Sequence, residues 1–193
     1  MVQKTSNILV RFSTGWVTLA GLVIFVLFLI LVLPAQSQKA SRESGGAVSP
    51  DMSFVYSPAD LYRMAEAYGA EGRAAYIRAR FTFDLIWPLV YTLFLGTTLS
   101  WLVSRVFSLG NRWRWLNLAP LLGMLLDYLE NISTSLVMFR YPQQTMVVDF
   151  LAPLWTMLKW LFVNGSFGLL FILGCLWIIR RIRKQKRIRE GTL

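Results

Sequence analysis

LLDYLENISTSLVMF, residues 125–139, is the stretch whose reading decides the fold. Its leucines, isoleucine and valine suit a transmembrane helix, but Asp127, Glu130 and Asn131 interrupt it near the middle. A charged side chain at that depth costs roughly 2.5–3.5 kcal/mol even on lenient insertion scales, so it needs a partner or an aqueous cavity. On an α-helix Asp127, Glu130, Asn131 and Thr134 fall at i, i+3, i+4 and i+7 and form one continuous stripe. That stripe cannot face lipid and must face other helices.

The rest of the chain supplies those helices. Of 193 residues, 55% are hydrophobic and only 16% charged, against about 25% charged in a soluble domain. Residues 15–33, GWVTLAGLVIFVLFLILVL, carry no charge and are long enough to cross a ~30 Å hydrocarbon core. We read an all-α integral membrane four-helix bundle, a single domain over 1–193, with spans at about 14–33, 82–104, 115–138 and 150–179. A partly helical outer loop, 34–81, joins the first two spans, and a basic tail, 180–193, follows the last. The first apolar run exceeds the usual signal-peptide core and is read as a retained span, although LPAQSQ after it would accept cleavage.

Charge sets the orientation. The net charge is +10, and seven of the twenty basic residues crowd into the tail. With both termini cytoplasmic, Lys4, Arg11, Arg105, Arg112, Arg114 and the tail lie inside, in keeping with the positive-inside rule. Arg180, Arg181, Arg183 and Lys184 then meet anionic lipid headgroups, which accounts for the basicity without nucleic acid. The partners read from the sequence are therefore the bilayer, those headgroups and a further membrane protein.

Composition also excludes chemistry. There is no histidine and one cysteine, Cys175, so His-based zinc sites, bis-His haem, Ser-His-Asp catalysis and intramolecular disulfides are out. Cys175 reads as a packing residue of the last helix. No metal site, cofactor or catalytic residue is assigned.

In the outer loop, QSQKASRESGGAVSP (36–50) reads as flexible. SPAD (57–60) supplies an N-cap at Ser57 and a first-turn Asp60, with Leu61, Ala65 and Tyr68 at helical spacing and Gly69 as a stop. A second helix starts near Glu71. In the second span Pro88 withdraws an amide donor and frees a carbonyl for a neighbouring helix.

Depth counting names partners for the stripe. Glu130 lies ~12 Å below one end of its span and Lys159 ~14 Å below the facing end of the next, so the two are level and Asp127 is one turn deeper. We expect Lys159 to pair with Glu130 and Asp127, Arg80 to pair with Asp84, and Tyr91 to extend the polar face; Asn117 could reach Asn164. The candidate polar site is thus Asp84, Tyr91, Asp127, Glu130, Asn131 and Lys159. Two carboxylates against one lysine leave negative charge to be balanced by a retained proton or a bound cation.

The segments FDLIWPLVYTLFL (83–95), LDYLEN (126–131) and LKW (158–160), preceded by YSPADLYRMAEAYGAEGRAAYIRAR (56–80), resemble a pattern (FDxxWPLxYT, DYLEN, KW) of uncharacterised small bacterial four-span integral membrane proteins. The resemblance covers roughly residues 54–165 and implies a multi-pass protein of the bacterial cytoplasmic membrane, with no functional residue carried over. The architecture is also similar to that of the sterol-isomerase-like EXPERA proteins, without their acid pattern. Three functions follow from the residues. The first is a non-enzymatic structural or accessory membrane subunit. The second is a binder or transporter of a small cation, a proton or an amphipathic ligand through an outward-facing polar cavity. The third is a lipid-modifying or isomerase-type enzyme using Glu130. A cavity lined by Asp84, Tyr91, Glu130 and Lys159 would favour the second and third.

Overall fold

The computed structural model describes residues 2–189, and among these the regular structure is entirely helical. The order is α1 (Val2–Phe12), α2 (Gly15–Leu27), α3 (Leu33–Glu43), α4 (Pro58–Ala67), α5 (Gly69–Arg80), α6 (Phe83–Val106), α7 (Ala119–Arg140) and α8 (Val148–Arg189). Three helices among the described residues are long and apolar enough to cross a membrane: Gly15–Glu43, Gly69–Val106 and Val148–Arg189. The helix α7, expected as a fourth span, does not meet the same measure, because its polar stripe dilutes its apolar residues. Its outward face is apolar nonetheless, with Leu125, Ile132 and Phe139 exposed.

The first long helix departs from expectation. It does not end at the predicted flexible segment but continues through α3 to Glu43. Pro34 lacks an amide hydrogen and crowds the preceding turn, and the chain widens into a π turn at Phe28–Val32 rather than breaking. The break comes at Gly45 and Gly46, both at positive φ.

Beyond it the loop folds back over the bundle. A capping box between Ser57 and Asp60 starts α4, and Gly69, at φ 63°, turns the chain from α4 into α5. Leu61 and Ala65 of α4 and Tyr76 of α5 join Val137, Met138 and Ala152 in one buried cluster, which ties both loop helices to α7 and α8.

The helices α7 and α8 form the closest pair, as their short connection predicts. Gly123 permits this: a Cβ there would lie 3.0 Å from Val163 Cγ2. The helix α2 packs on α6, with Phe25 stacked on Phe94 at 4.8 Å between ring centroids.

At the other end α1 lies against α6 and the 3₁₀ segment Arg112–Leu118. There Asn117 Nδ2 donates to Ser100 Oγ (2.9 Å) and to Ser6 O (3.2 Å), while Ser6 Oγ donates to Arg114 O (3.2 Å). The suggested bond from Asn117 to Asn164 does not form, since Ser100 of α6 and Ser6 of α1 take its amide. The expected buried role for Cys175 also fails: it is exposed on α8.

The described tail is helical to Arg189. Its 42 residues make α8 about 63 Å long, roughly twice a ~30 Å hydrocarbon core. Arg181, Arg183 and Lys184 are exposed along it. Arg180 additionally donates to Val106 O and so caps the C-terminal end of α6.

Candidate functional site

The site is built by α6, α7 and α8 with one turn of the loop. Helical spacing on α7 places Asp127, Glu130, Asn131 and Thr134 on its buried face, and α8 presents Lys159 to it. Lys159 Nζ lies 2.5 Å from Glu130 Oε2 and 3.9 Å from Asp127 Oδ1. Its third partner is Asp51, from the 3₁₀ turn Pro50–Met52. Glu130 is 1% exposed and Lys159 3%, whereas the Asp51 side chain is 29% exposed, so a buried ion cluster meets the outside at Asp51.

A second cation lies beside it. Arg80, at the end of α5, is 3.1 Å from Asp84 Oδ2 and 3.5 Å from Asp51 Oδ2, and its guanidinium sits 4.5 Å from the Tyr76 ring centroid. Asp51 therefore bridges Lys159 and Arg80. Burial works against the charge on Asp51, but the Lys159 ammonium and then the Arg80 guanidinium outweigh it and hold this carboxyl well below the usual carboxylate range.

Neutral groups orient the acids. Tyr91 donates to Asp127 Oδ2 at 3.0 Å. Pro88 leaves the carbonyl of Asp84 without its helical donor, and Asn131 Nδ2 approaches that oxygen at 3.5 Å. Tyr128 donates to the next carbonyl, Leu85 O, at 2.9 Å. Tyr76 donates to Thr134 Oγ1 at 3.0 Å, and Thr134 to Glu130 O at 2.8 Å. Trp160 Nε1 donates to Asp51 O at 3.2 Å, and Tyr56 and Thr156 share a hydrogen bond of 2.9 Å. These last contacts pin the loop turn onto α8 and so place Asp51.

Beside the cluster lies a cavity of about 330 Å³. Asp51, Asp84, Tyr91, Asp127 and Lys159 line its polar end, and Phe25, Trp87, Trp160 and Phe167 form an aromatic wall. Leu29, Asn164 and Phe167, which also line it, are exposed, so the cavity reaches the outer surface of the bundle near α2 and α8. Glu130, named with the expected lining, is not part of it and stands behind Lys159. A larger hollow of about 420 Å³ at the opposite end is lined by Val2, Trp113, Trp115 and Phe162 with Arg112 as its one charged wall residue. It offers apolar volume without a convergent polar group.

All six expected site residues meet in one region. Sequence reasoning missed Asp51, which directly follows the segment read as flexible, and missed the aromatic wall. Carboxylate oxygens of Asp51, Asp127 and Glu130 lie within 4.8 Å of one another, a spacing a metal ion could use, but Lys159 Nζ already sits among all three. Lysine is the cation of that triad.

No protein-family profile matches the chain, and no curated protein or solved structure is significantly similar to it.

Proposed function

We propose that this chain is a non-enzymatic, multi-pass membrane protein that binds an amphipathic small molecule in the cavity beside Lys159. In this reading α7 is the fourth span, both termini lie in the cytoplasm of a bacterium, and the loop helices face outward. The burial of Asp127 and Glu130 against α8 supports α7 as an intramembrane element despite its polarity. The basic residues clustered around α1, the 112–118 segment and the tail support the orientation, and the exposed tail arginines suit anionic headgroups.

The observation that carries the binding reading is the cavity itself. Its volume falls within the ~300–1,000 Å³ usual for small-molecule sites, and it combines an apolar wall with convergent polar groups at one end. Polar contacts between membrane helices contribute only ~0.6 kcal/mol on average. Helix association alone is therefore a weak reason to assemble four carboxylates and two cations.

Native mass spectrometry of protein extracted in mild detergent tests the reading. Wild type is expected to carry a small-molecule adduct that Asn164→Trp, which blocks the exposed mouth of the cavity, removes while the folded yield is retained. A wild type free of adduct that also binds no added amphiphile returns the cluster to a purely structural role.

A further inference from the structure

Resting on that reading, we infer that the head group taken by the cavity is a cation, a protonated amine or quaternary ammonium carried on an apolar body.

The first argument is charge. The cavity wall presents Asp51, Asp84 and Asp127 against the single ammonium of Lys159, and the nearby Arg80 and Glu130 offset each other formally. An anionic head would meet three carboxylates, and the ammonium it would need is already engaged by Asp51 and Glu130. The second argument is an unmet acceptor. Glu130, 1% exposed, stands behind Lys159 outside the cavity and has an oxygen, Oε1, with no hydrogen-bond donor among the described residues, so it adds negative charge behind the wall without touching the ligand. Lysine and arginine have thus been distributed over the acids without satisfying them. A neutral hydroxyl head would add one donor but leave the negative excess in place.

The third argument is the wall. Aromatic faces attract cations, worth about 2 kcal/mol or more where water is excluded. Trp87 packs with Phe25 and Phe28, each stacked on it at 5.8 Å, and with Tyr91, edge-on at 5.9 Å. Tyr91 also holds Asp127. A cation between Asp84 and Asp127 would therefore have carboxylates on one side and indole and phenyl rings on the other. Its apolar body would point along Phe25 and Phe167 toward the exposed edge.

One tail with three heads tests this. Bromine-tipped undecyl trimethylammonium, undecanol and undecyl sulfate quench nearby tryptophan fluorescence and would be titrated into the full-length protein in phosphatidylcholine nanodiscs, corrected for partitioning into empty discs. The ammonium is expected to reach half-quenching at about ten-fold lower membrane mole fraction than the alcohol, and the sulfate to be weakest. Trp87→Phe with Trp160→Phe should abolish that quenching. Asp84→Asn and Asp127→Asn should narrow the gap between ammonium and alcohol; the wild-type series decides the matter even if these variants fold poorly. Equal binding of alcohol and ammonium, or tightest binding of sulfate, overturns the cationic head and leaves the cavity reading intact. Absence of saturable quenching by all three overturns both, and quenching that survives loss of both tryptophans places the ligand elsewhere and overturns the inference.

Discussion

Two buried polar regions lie at opposite ends of the bundle and solve different problems. Around Asn117 the bonded side chains are uncharged: Ser6, Ser100 and Asn117 bond to one another and to backbone carbonyls, with the buried Arg114 beside them and Asn117 Oδ1 and Arg114 Nε left bare. Around Lys159 every principal member is ionisable, the acids outnumber the bases, and a cavity adjoins them. The first arrangement is what joining α1 to the bundle requires: short neutral bonds, with the neighbouring hollow walled almost entirely by apolar groups. The second exceeds what joining helices requires, and the excess charge facing directly into a cavity gives it the character of a site.

The comparison can be broken most forcefully at Lys159. Lys159→Met leaves Glu130, Asp127 and Asp51 without their shared cation and should cost about 3–5 kcal/mol, read as loss of folded yield and a large drop in Tm in detergent. Adding Glu130→Gln should recover a substantial part of that loss, because the uncompensated charge is then removed rather than exposed. If the single variant is as stable as wild type, the cluster is wet and the contrast between the two ends collapses.

Asn117→Ala should cost about 1–3 kcal/mol, since it removes two hydrogen bonds and leaves Ser100 with a bare hydroxyl. It should leave amphiphile binding unchanged. Tyr91→Phe should be milder in stability, at about 1 kcal/mol, yet should alter binding because Asp127 loses the donor that orients it. Melting curves and quenching titrations run together on both variants would show stability and binding separating between the two ends.

The smallest effect is a pH dependence. Asp51 has its folded carboxyl held below the ordinary range, so its contribution is fully present above the unfolded value of about 3.9 and is lost only as pH falls further, toward the folded value. The difference in Tm between wild type and Asp51→Asn should therefore be constant from pH 8 to about 5 and shrink below about 4. A difference that declines already between pH 7 and 5 would mean that Lys159 and Arg80 do not hold this carboxylate.

How much of this was legible in the sequence follows from what each residue depends on. The stripe on α7 needs only helical spacing, and its level relative to Lys159 needs only a rise per residue, so Glu130 and Lys159 could be matched by counting. Asp84 with Arg80 required only an i−4 offset, and the use made of the Asp84 carbonyl follows from Pro88. Asp51 obeys no such local rule. Its position depends on the nearby Tyr56 and on Thr156 and Trp160, about a hundred residues away in the chain, and its Ser/Gly-rich surroundings point toward disorder. The length of α3 was hidden by the same composition: only Gly45 and Gly46 actually end the helix. The three long apolar helices could be read from hydropathy, whereas the polar stripe of α7 leaves it short of that apolarity.

The uninterrupted course of α8 has a mechanical consequence. Thirty residues separate Lys159 from Arg189 on one helix, a lever arm of about 45 Å. A tilt of about 5° pivoting at Lys159 would carry the far tip sideways by roughly 4 Å over that length. A change in how the cavity is filled would thus be felt at the distant basic end as displacement of one continuous rod, carried past its contact with α6 at Arg180 and Val106 O.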